Sequence, residues 1–572
     1  MSKVNLKING KTVQAPAGST ILEAARLAEV DIPVLCHHPK LANLGSCRIC
    51  LVEIARQPNL HPACTYPVFE GMEVQTESPR VVEMRKFVLD MLFSERNHHC
   101  MYCEMSGDCE LQNLAYRYRM DRWSFPSPHP HMPVDATRKY FLLDHSRCIL
   151  CRRCLRACSD LAANHTLGVK NRGADTMICA DMDLSFGESS CVSCGTCLEV
   201  CPTGALVDRR SAYMGRTAEV QRVRSSCAAC SLGCGVELVV RGGQVLRVES
   251  DWDRHNEGVL CVAGRFEPLE QTREKITRPL VRRDGQLQEA TWVEALDALV
   301  SGLRQAAPGG IRAVTSGAVL SEGMNEFVNF FKGKMGVPVH LLEPALAGSE
   351  LAADGGLKDV DAADFILVAG GDPLASHRVL GYRIKRAIDK GAEVWLVSGK
   401  ETEMAHFAAR CLGLAELDSA VAHCMESRSP VVVYGADLTA REAGRLARLR
   451  GKARFIPLAP SPNGHRAQVL GLEPAAGWAG AKALFVLLES ALLQEGWLQE
   501  FRRPQFLAVY ASCRSPLTDQ ADVVLPALQW YERQGTFINM EGRNVDVHQA
   551  VEPGGEGWSV QKLFDRLSGC MT

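Results

Sequence analysis

Nineteen of the 24 cysteines in this chain fall into five short, differently spaced groups, all before residue 262. The residues after Cys261 hold only Cys411, Cys424, Cys513 and Cys570. Thiolates two or three residues apart turn a loop into a claw for soft metal, and iron–sulfur clusters are held by such cysteines. Five claws in series point to one task, the passage of single electrons along a row of clusters.

At 572 residues the chain must divide into several domains, because single cores stop growing at roughly 250–300 residues. A formal net charge of −2 gives no electrostatic case for nucleic acid or an anionic membrane as partner. No run of 18 apolar residues is present, so direct membrane insertion is not expected, and MSKVNLKING lacks the apolar stretch of a signal peptide. The expected location is the cytoplasm, where thiols stay reduced and dense cysteine motifs read as metal sites.

Residues 3–8 (KVNLKI) alternate with period two, Asn9-Gly10 is a hairpin turn, and KTVQAP returns as a second strand. Ser19 or Thr20 can cap a helix through ILEAARLAE. Over 79–95 the helical period places Val81, Met84, Val88, Met91 and Leu92 on one face. FPSPHPHMPVD (125–135) is a Pro/His-rich linker. From about residue 276 strands and helices alternate: IRAVTSG, MNEFVNFFKGKMG and PVHLLE, then FILVAG, HRVLGYRIKRAIDKG and EVWLVS. PVVVYG with ARFIPL and ALFVLL with QFLAVY extend the series. This predicts a doubly wound parallel sheet with helices on both faces.

Cys36, Cys47, Cys50 and Cys64 follow C-x10-C-x2-C-x13-C in the β-rich N-terminal region. The pattern resembles the 2Fe–2S ferredoxin-like domain that opens several NAD-linked dehydrogenase subunits. A four-cysteine zinc site is the alternative. Gly45 and Ser46 suit a loop whose N–H groups point at sulfur. Cys100, Cys103 and Cys109 (C-x2-C-x5-C) are one ligand short, and His98 and His99 lie just upstream. An imidazole replacing a thiolate makes a cluster less negative and raises its potential. The spacing resembles the 4Fe–4S motif of the large complex I iron–sulfur subunit, which uses one histidine and three cysteines. That family places its histidine four residues before the first cysteine, where this chain has Arg96. A histidine two residues before resembles the diaphorase iron–sulfur subunit of NAD-linked hydrogenases, which favours His98 over His99; a solvent-facing pair is the bland reading.

Cys148, Cys151, Cys154 and Cys158, and Cys191, Cys194, Cys197 and Cys201 followed by Pro202, share the spacing C-x2-C-x2-C-x3-C. The pair resembles the bacterial two-cluster ferredoxin run, whose fourth cysteine ligates the other cluster. That resemblance implies one cluster on Cys148, Cys151, Cys154 and Cys201, and another on Cys191, Cys194, Cys197 and Cys158. Pro202 ends the ligand helix. Arg147, Arg152, Arg153 and Arg156 crowd the first claw, either raising its potential or forming a solvated face. Cys179 reads as a packed thiol. Cys227, Cys230, Cys234 and Cys261 (C-x2-C-x3-C-x26-C), with LCVAGRF around the last, resemble the 4Fe–4S motif that opens molybdopterin oxidoreductases. A structural metal or an emptied site is the alternative there, and the cluster could lie off the main electron path.

The resemblance to molybdopterin oxidoreductases extends over residues 223–572 and includes ADFILVAGGDPLASHRVLGYRIKRAIDKGAEVWLVS and ADVVLPALQWYERQGTFINMEGR. Three departures speak against a molybdenum site. The family's lysine two residues past the last claw cysteine is Ala263, HLLEPALAGSELAADGGLKD contains no cysteine, and the sequence stops soon after GRNVDV where catalytic members continue. The half is expected to be a scaffold without its own catalysis or molybdopterin.

The expected fold is therefore α+β and multidomain. Residues 1–78 form a β-grasp 2Fe–2S ferredoxin domain, 79–121 a small helical 4Fe–4S domain with one histidine and three cysteines, and 138–212 a two-cluster 4Fe–4S ferredoxin domain. Residues 220–275 form a 4Fe–4S motif domain, and 276–572 a degenerate doubly wound molybdopterin-oxidoreductase-like α/β domain. The resemblances imply one 2Fe–2S and four 4Fe–4S clusters in an electron-relay subunit of a cytoplasmic NAD(P)-linked oxidoreductase complex. The expected partners are a flavin (FMN)/NAD(P)-binding subunit, a small 2Fe–2S subunit, and hydrogenase or other dehydrogenase subunits. Ferredoxin joins them if the complex bifurcates electrons. A molybdenum-dependent NAD-linked formate dehydrogenase subunit, or a complex I subunit feeding quinone, are the alternatives.

Overall fold

The structure is a computed structural model that describes every residue except 1, 129–130, 271, 345, 348–350, 352, 475–479, 492–500 and 572. Two compact units emerge, Met1–Val220 and Gln221–Thr572. In the first, strands Lys3–Ile8 and Lys11–Pro16 pair antiparallel through a turn in which Asn9 and Gly10 both take positive φ (50° and 81°). That backbone matches the twist of the hairpin, and asparagine and glycine adopt it at least cost. The hairpin continues into a five-stranded sheet through Glu73–Gln75, Leu51–Ile54 and Leu60–Pro62. Helix α1 (Ile21–Leu27) carries a capping box between Thr20 and Glu23, so Thr20 rather than Ser19 caps it. Its buried Ile21, Leu22 and Ala25 join Leu6, Ile8, Val52 and Ile54 in a core that also contains Cys50 and Cys64.

Helix α2 (Pro79–Glu95) corrects the expected helical face. Val81 is buried, but Met84 and Met91 are exposed, and the inward row is Val81, Arg85, Leu89 and Phe93. These residues stand at strict i, i+4 spacing. Arg85 can join them because its guanidinium donates to the Leu51 carbonyl, the Tyr118 hydroxyl and the Glu77 carboxylate, each at 2.8 Å. A hydropathy pattern misses a buried arginine whose two terminal nitrogens are bonded in this way.

Three short helices follow, α3 (Glu110–Arg117), α4 (Arg153–Arg156) and α5 (Thr196–Val200), with a three-stranded sheet from Val134–Asp135, Phe141–Asp144 and Leu206–Asp208. Of the Pro/His-rich linker, His129 and Pro130 lie outside the described residues.

The second unit opens with an antiparallel sheet of Gln221–Ser226, Gly235–Arg241 and Gln244–Ser250. The expected single parallel sheet is in fact two. Strands 365–369, 393–397, 410–412, 430–434 and 454–457 form an all-parallel five-stranded sheet. Strands 311–315, 339–341, 473–474, 483–489, 506–511 and 523–526 belong to an eight-stranded sheet, finished by the antiparallel pair 280–283 and 286–289. Both sheets read as continuous apolar runs because both faces are covered, so alternation alone does not tell which strands share a sheet. Among the described residues no helix is long and apolar enough to cross a membrane.

Candidate metal centres

In the first unit Cys36, Cys50 and Cys64 are buried and Cys47 is partly so. Their loop is tightened by left-handed Gly45 (φ 69°) and Arg48 (φ 58°), and the Cys36 N–H lies 3.4 Å from the Cys47 sulfur. The Cys36 thiol is within hydrogen-bonding reach of Cys47 and Cys64, and Cys50 of Cys64. Sharing with Cys47 first, then Cys64, holds Cys36 below the usual thiol range, while the reciprocal contact with Cys36 pushes Cys64 up. Cys36 thus neighbours Cys47 and Cys64, and Cys64 neighbours Cys50, so the four thiols lie together. His37 beside them is a residue that sequence reasoning passed over. Its Nε2 lies 3.1 Å from an Arg26 nitrogen that can only donate, so Nδ1–H donates to Asn43 Oδ1 at 2.8 Å.

His98, Cys100, Cys103 and Cys109 line one small pocket, with Arg147 and Gly204 on its wall. His98 sits edge-on to Phe93 at 5.4 Å, and its Nε2 is 3.1 Å from the Leu92 carbonyl oxygen. Burial lowers its pKa to about 4, which leaves a neutral imidazole with Nδ1 as its free lone pair. His99 also borders the pocket but is exposed. Arg96 is buried at the C-terminus of α2 and donates to the Thr176 carbonyl. Gly204 is required here: a Cβ on it would stand 2.6 Å from the Cys103 sulfur. Burial pushes the Cys109 thiol up to about 12.

The two C-x2-C-x2-C claws repeat one backbone design. Leu150 (φ 51°) and Arg152 (φ 57°) are left-handed around Cys151, and Ser193 (φ 52°) and Gly195 (φ 70°) are left-handed around Cys194. Alternating hands turn successive N–H groups inward, a nest for an anionic centre. Three non-glycine residues hold this costly conformation at matching positions, the mark of a functional constraint. The Leu150 N–H lies 3.4 Å from the Cys148 sulfur, and the Thr196 hydroxyl 3.5 Å from that of Cys194. Burial, and then Cys201 and Cys148, push Cys151 up; burial, and then Cys194 and Cys191, push Cys158 up to about 12. Cys201 thus lies near Cys148, Cys151 and Cys154 as well as Cys197, and Cys158 lies near Cys191, Cys194 and Cys197. Helix α5 ends at Val200, with Cys201 as its C-cap and Pro202 next. Cys179 lies on the strand Met177–Ala180, partly buried.

A single apolar core packs Cys36, Cys47, Cys100, Cys109 and Cys151 around Leu35, Ile49, Leu89, Phe93, Leu111 and Ile149. Three of the four cysteine groups of this unit share it. A zinc site draws its donors onto one ion at about 2.3 Å from each sulfur. Among the described residues no three His, Cys, Asp or Glu converge on a single-ion position. The inward-turned N–H groups and the glycine packed on sulfur fit anionic iron–sulfur clusters. Burial pushes the Cys109, Cys148, Cys151, Cys154, Cys158 and Cys197 thiols up, and iron would displace their protons on binding.

In the second unit Cys227, Cys230, Cys234 and Cys261 meet at one end of the antiparallel sheet. Cys227 N–H donates to the Cys234 carbonyl at 2.8 Å, and a Cβ on Gly264 would lie 3.1 Å from the Cys227 sulfur and 4.0 Å from that of Cys261. Burial pushes Cys227 up to about 12. Ser231, next to Cys230, is hydrogen-bonded at 2.7 Å to His377, a buried histidine that no spacing rule had marked. Ala263 occupies the short helix Val262–Arg265. In open α/β sheets ligands bind where the strand order switches, here beyond strands 311–315 and 483–489. That crevice holds the chain's own groups: Glu343 accepts from the Ser316 hydroxyl at 2.5 Å and the Gly317 N–H at 2.8 Å, and Glu489 pairs with Arg533. Cys424 and Cys513 are buried, Cys411 and Cys570 exposed.

Known families match this chain segment by segment. Residues 1–79 match the 2Fe-2S iron-sulfur cluster binding domain, 85–122 the NADH-ubiquinone oxidoreductase-G iron-sulfur binding region, and 140–207 the NADH-quinone oxidoreductase subunit 3 ferredoxin-like domain. Residues 220–268 match the molybdopterin oxidoreductase Fe4S4 domain, and 275–449 with 465–569 molybdopterin oxidoreductase itself. NADH-quinone oxidoreductase subunit 3 of Thermus thermophilus is 28% identical over 99% of this chain and 82% of its own length. The mitochondrial NADH-ubiquinone oxidoreductase 78 kDa subunit of Candida albicans is likewise 28% identical over 99% of this chain and 82% of its own length. A solved NAD+-reducing [NiFe]-hydrogenase chain is 32% identical, covering 38% of this chain and 91% of its own, with a TM-score of 0.35.

Proposed function

We propose, on the premise that this chain is similar along nearly its whole length to the large iron–sulfur subunit of complex I, that it relays electrons between a flavin/NAD(P) subunit and a second catalytic subunit. The relay role itself is that of an oxidoreductase subunit of the NADH-dehydrogenase type. The clusters, when bound, supply one-electron carriers; the chain's own residues hold, space and tune them.

The observation that carries the reading is the shared core. Cysteines of three separate groups lie in one apolar cluster, which keeps water away and the carriers adjacent. We assign one 2Fe–2S cluster to Cys36, Cys47, Cys50 and Cys64. The 4Fe–4S clusters are assigned to His98 with Cys100, Cys103 and Cys109, and to the three remaining cysteine-only sets. The domain borders at 78, 121, 138, 212, 220 and 275 belong to the same proposal. The hydrogen-bonded Glu343 and the Glu489–Arg533 pair at the strand-order switch support a scaffold role for the second unit, with no molybdopterin.

His98, two residues ahead of Cys100, favours a cytoplasmic hydrogenase as the terminal partner, with a small 2Fe–2S subunit, and ferredoxin as a third party if electrons are bifurcated. A complex feeding quinone is the second reading, favoured by the coverage of the Thermus relative. Purification of the native complex tests both. The expected preparation contains about 18 iron atoms per copy of this chain beyond those of its partners, no molybdenum, and clusters that H2 reduces. Molybdenum in stoichiometric amount, or membrane-embedded quinone-reducing subunits in its place, overturns the hydrogenase reading.

A further inference from the structure

Arg156 is buried, yet among the described residues no carboxylate pairs with it. Its neighbours differ: Arg147 pairs with Asp144 at 3.0 Å and Arg153 with Glu110 at 2.7 Å. All the hydrogen bonds of Arg156 go to carbonyls. Nε donates to Arg152 at 3.2 Å and Nη1 to Ala42, while Nη2 is divided between Cys36 and Cys151, the latter at 3.4 Å. Carbonyl dipoles satisfy the donors but leave the net charge unbalanced, and a buried charge without a counter-charge is strongly disfavoured. Cys36 belongs to the proposed 2Fe–2S site and Cys151 to the proposed 4Fe–4S site of Cys148, Cys154 and Cys201. Both sites are anionic when loaded, and one guanidinium nitrogen touches the backbone of a ligand of each.

We propose that Arg156 is a positioning residue that ties the 2Fe–2S centre to the Cys148 centre and, as their common counter-charge, holds both reduction potentials up. The proposal rests on the cluster assignment above. The rigid fork of arginine suits it to two carbonyls on separate loops, which lysine cannot span in the same way. A cation bonded to the ligand loops of two electron carriers stabilises the added electron on either one.

The test is a redox titration, followed by electron paramagnetic resonance, of the whole complex carrying Arg156→Met or Arg156→Lys. In Arg156→Met both midpoints should fall by at least tenfold in the one-electron equilibrium, about 59 mV, while the Cys191 and Cys227 centres stay put. Arg156→Lys, which keeps the charge, should fall by less. Full-intensity signals with unmoved midpoints, or movement of only one centre, overturn the proposal. Should Arg156→Met fail to load, the unmodified protein still decides: the reduced Cys148 centre must speed the spin relaxation of the reduced 2Fe–2S centre, and unaltered relaxation overturns the link. Absence of a 2Fe–2S signal from the unmodified protein would instead refute the cluster assignment.

Discussion

Leu150 and Ser193 hold the same left-handed backbone, φ 51° and 52°, at the same place in the two ferredoxin claws. Neither residue type favours that conformation, so the loops share a shape that the intervening sequence does not.

The next matching pair is Arg152 and Gly195. Arg152 is exposed and left-handed, so Arg152→Gly should remove strain and stabilise the protein by about 1 kcal/mol. Arg152→Val, β-branched, should lower the iron content. Thermal denaturation and iron analysis of the two variants check this; equal iron in both would contradict it.

Because Cys201 lies near Cys148, Cys151 and Cys154, Cys201→Ser should damage the centre of the first claw although it lies in the second. The paramagnetic signals of the two centres, titrated separately, give the answer. Loss confined to the Cys191 centre would disprove the crossover.

His98→Ala should perturb the Cys100 centre and His99→Ala should not, since His98 is turned inward and His99 is exposed. Gly204→Ala should hit the same centre, because its new Cβ meets the Cys103 sulfur at 2.6 Å. Signal intensity for that centre alone, with the other centres as internal reference, reports both effects.

His377 supplies a pH dependence. Burial lowers its pKa to about 4 in the folded chain, against about 6.5 unfolded. Below 6.5 the unfolded chain takes up a proton that the folded one refuses, so stability is lost as pH falls from 6.5 towards 4. The loss approaches about 3 kcal/mol at the lower end, at 1.36 kcal/mol per pH unit. His377→Gln should flatten that part of the profile in denaturant unfolding at a series of pH values; an unchanged slope would exclude the histidine as its source.

The cysteine spacing and the Asn9-Gly10 hairpin were legible locally, because each is a short-range pattern with few backbone solutions, and the α1 cap was narrowed to Ser19 or Thr20. The helix face of 79–95 was not, since Arg85 is drawn inward by Glu77, Leu51 and Tyr118, groups from elsewhere in the chain. The division of the strands into two sheets escaped for a related reason: strand 365–369 and strand 311–315 are equally apolar, and only pairing across long loops tells them apart.

By itself, then, the sequence grouped the thiols into short claws, because the ligand loops are local and their spacing is set by the reach of a few residues. The tertiary structure decided how the claws are grouped. It packed Cys36, Cys100 and Cys151 into one core, stretched Arg156 between two ligand loops, and set Glu343 and the Glu489–Arg533 pair at the strand-order switch of the second unit. Those are contacts between residues far apart in the chain, fixed by burial and charge compensation and not by any local pattern.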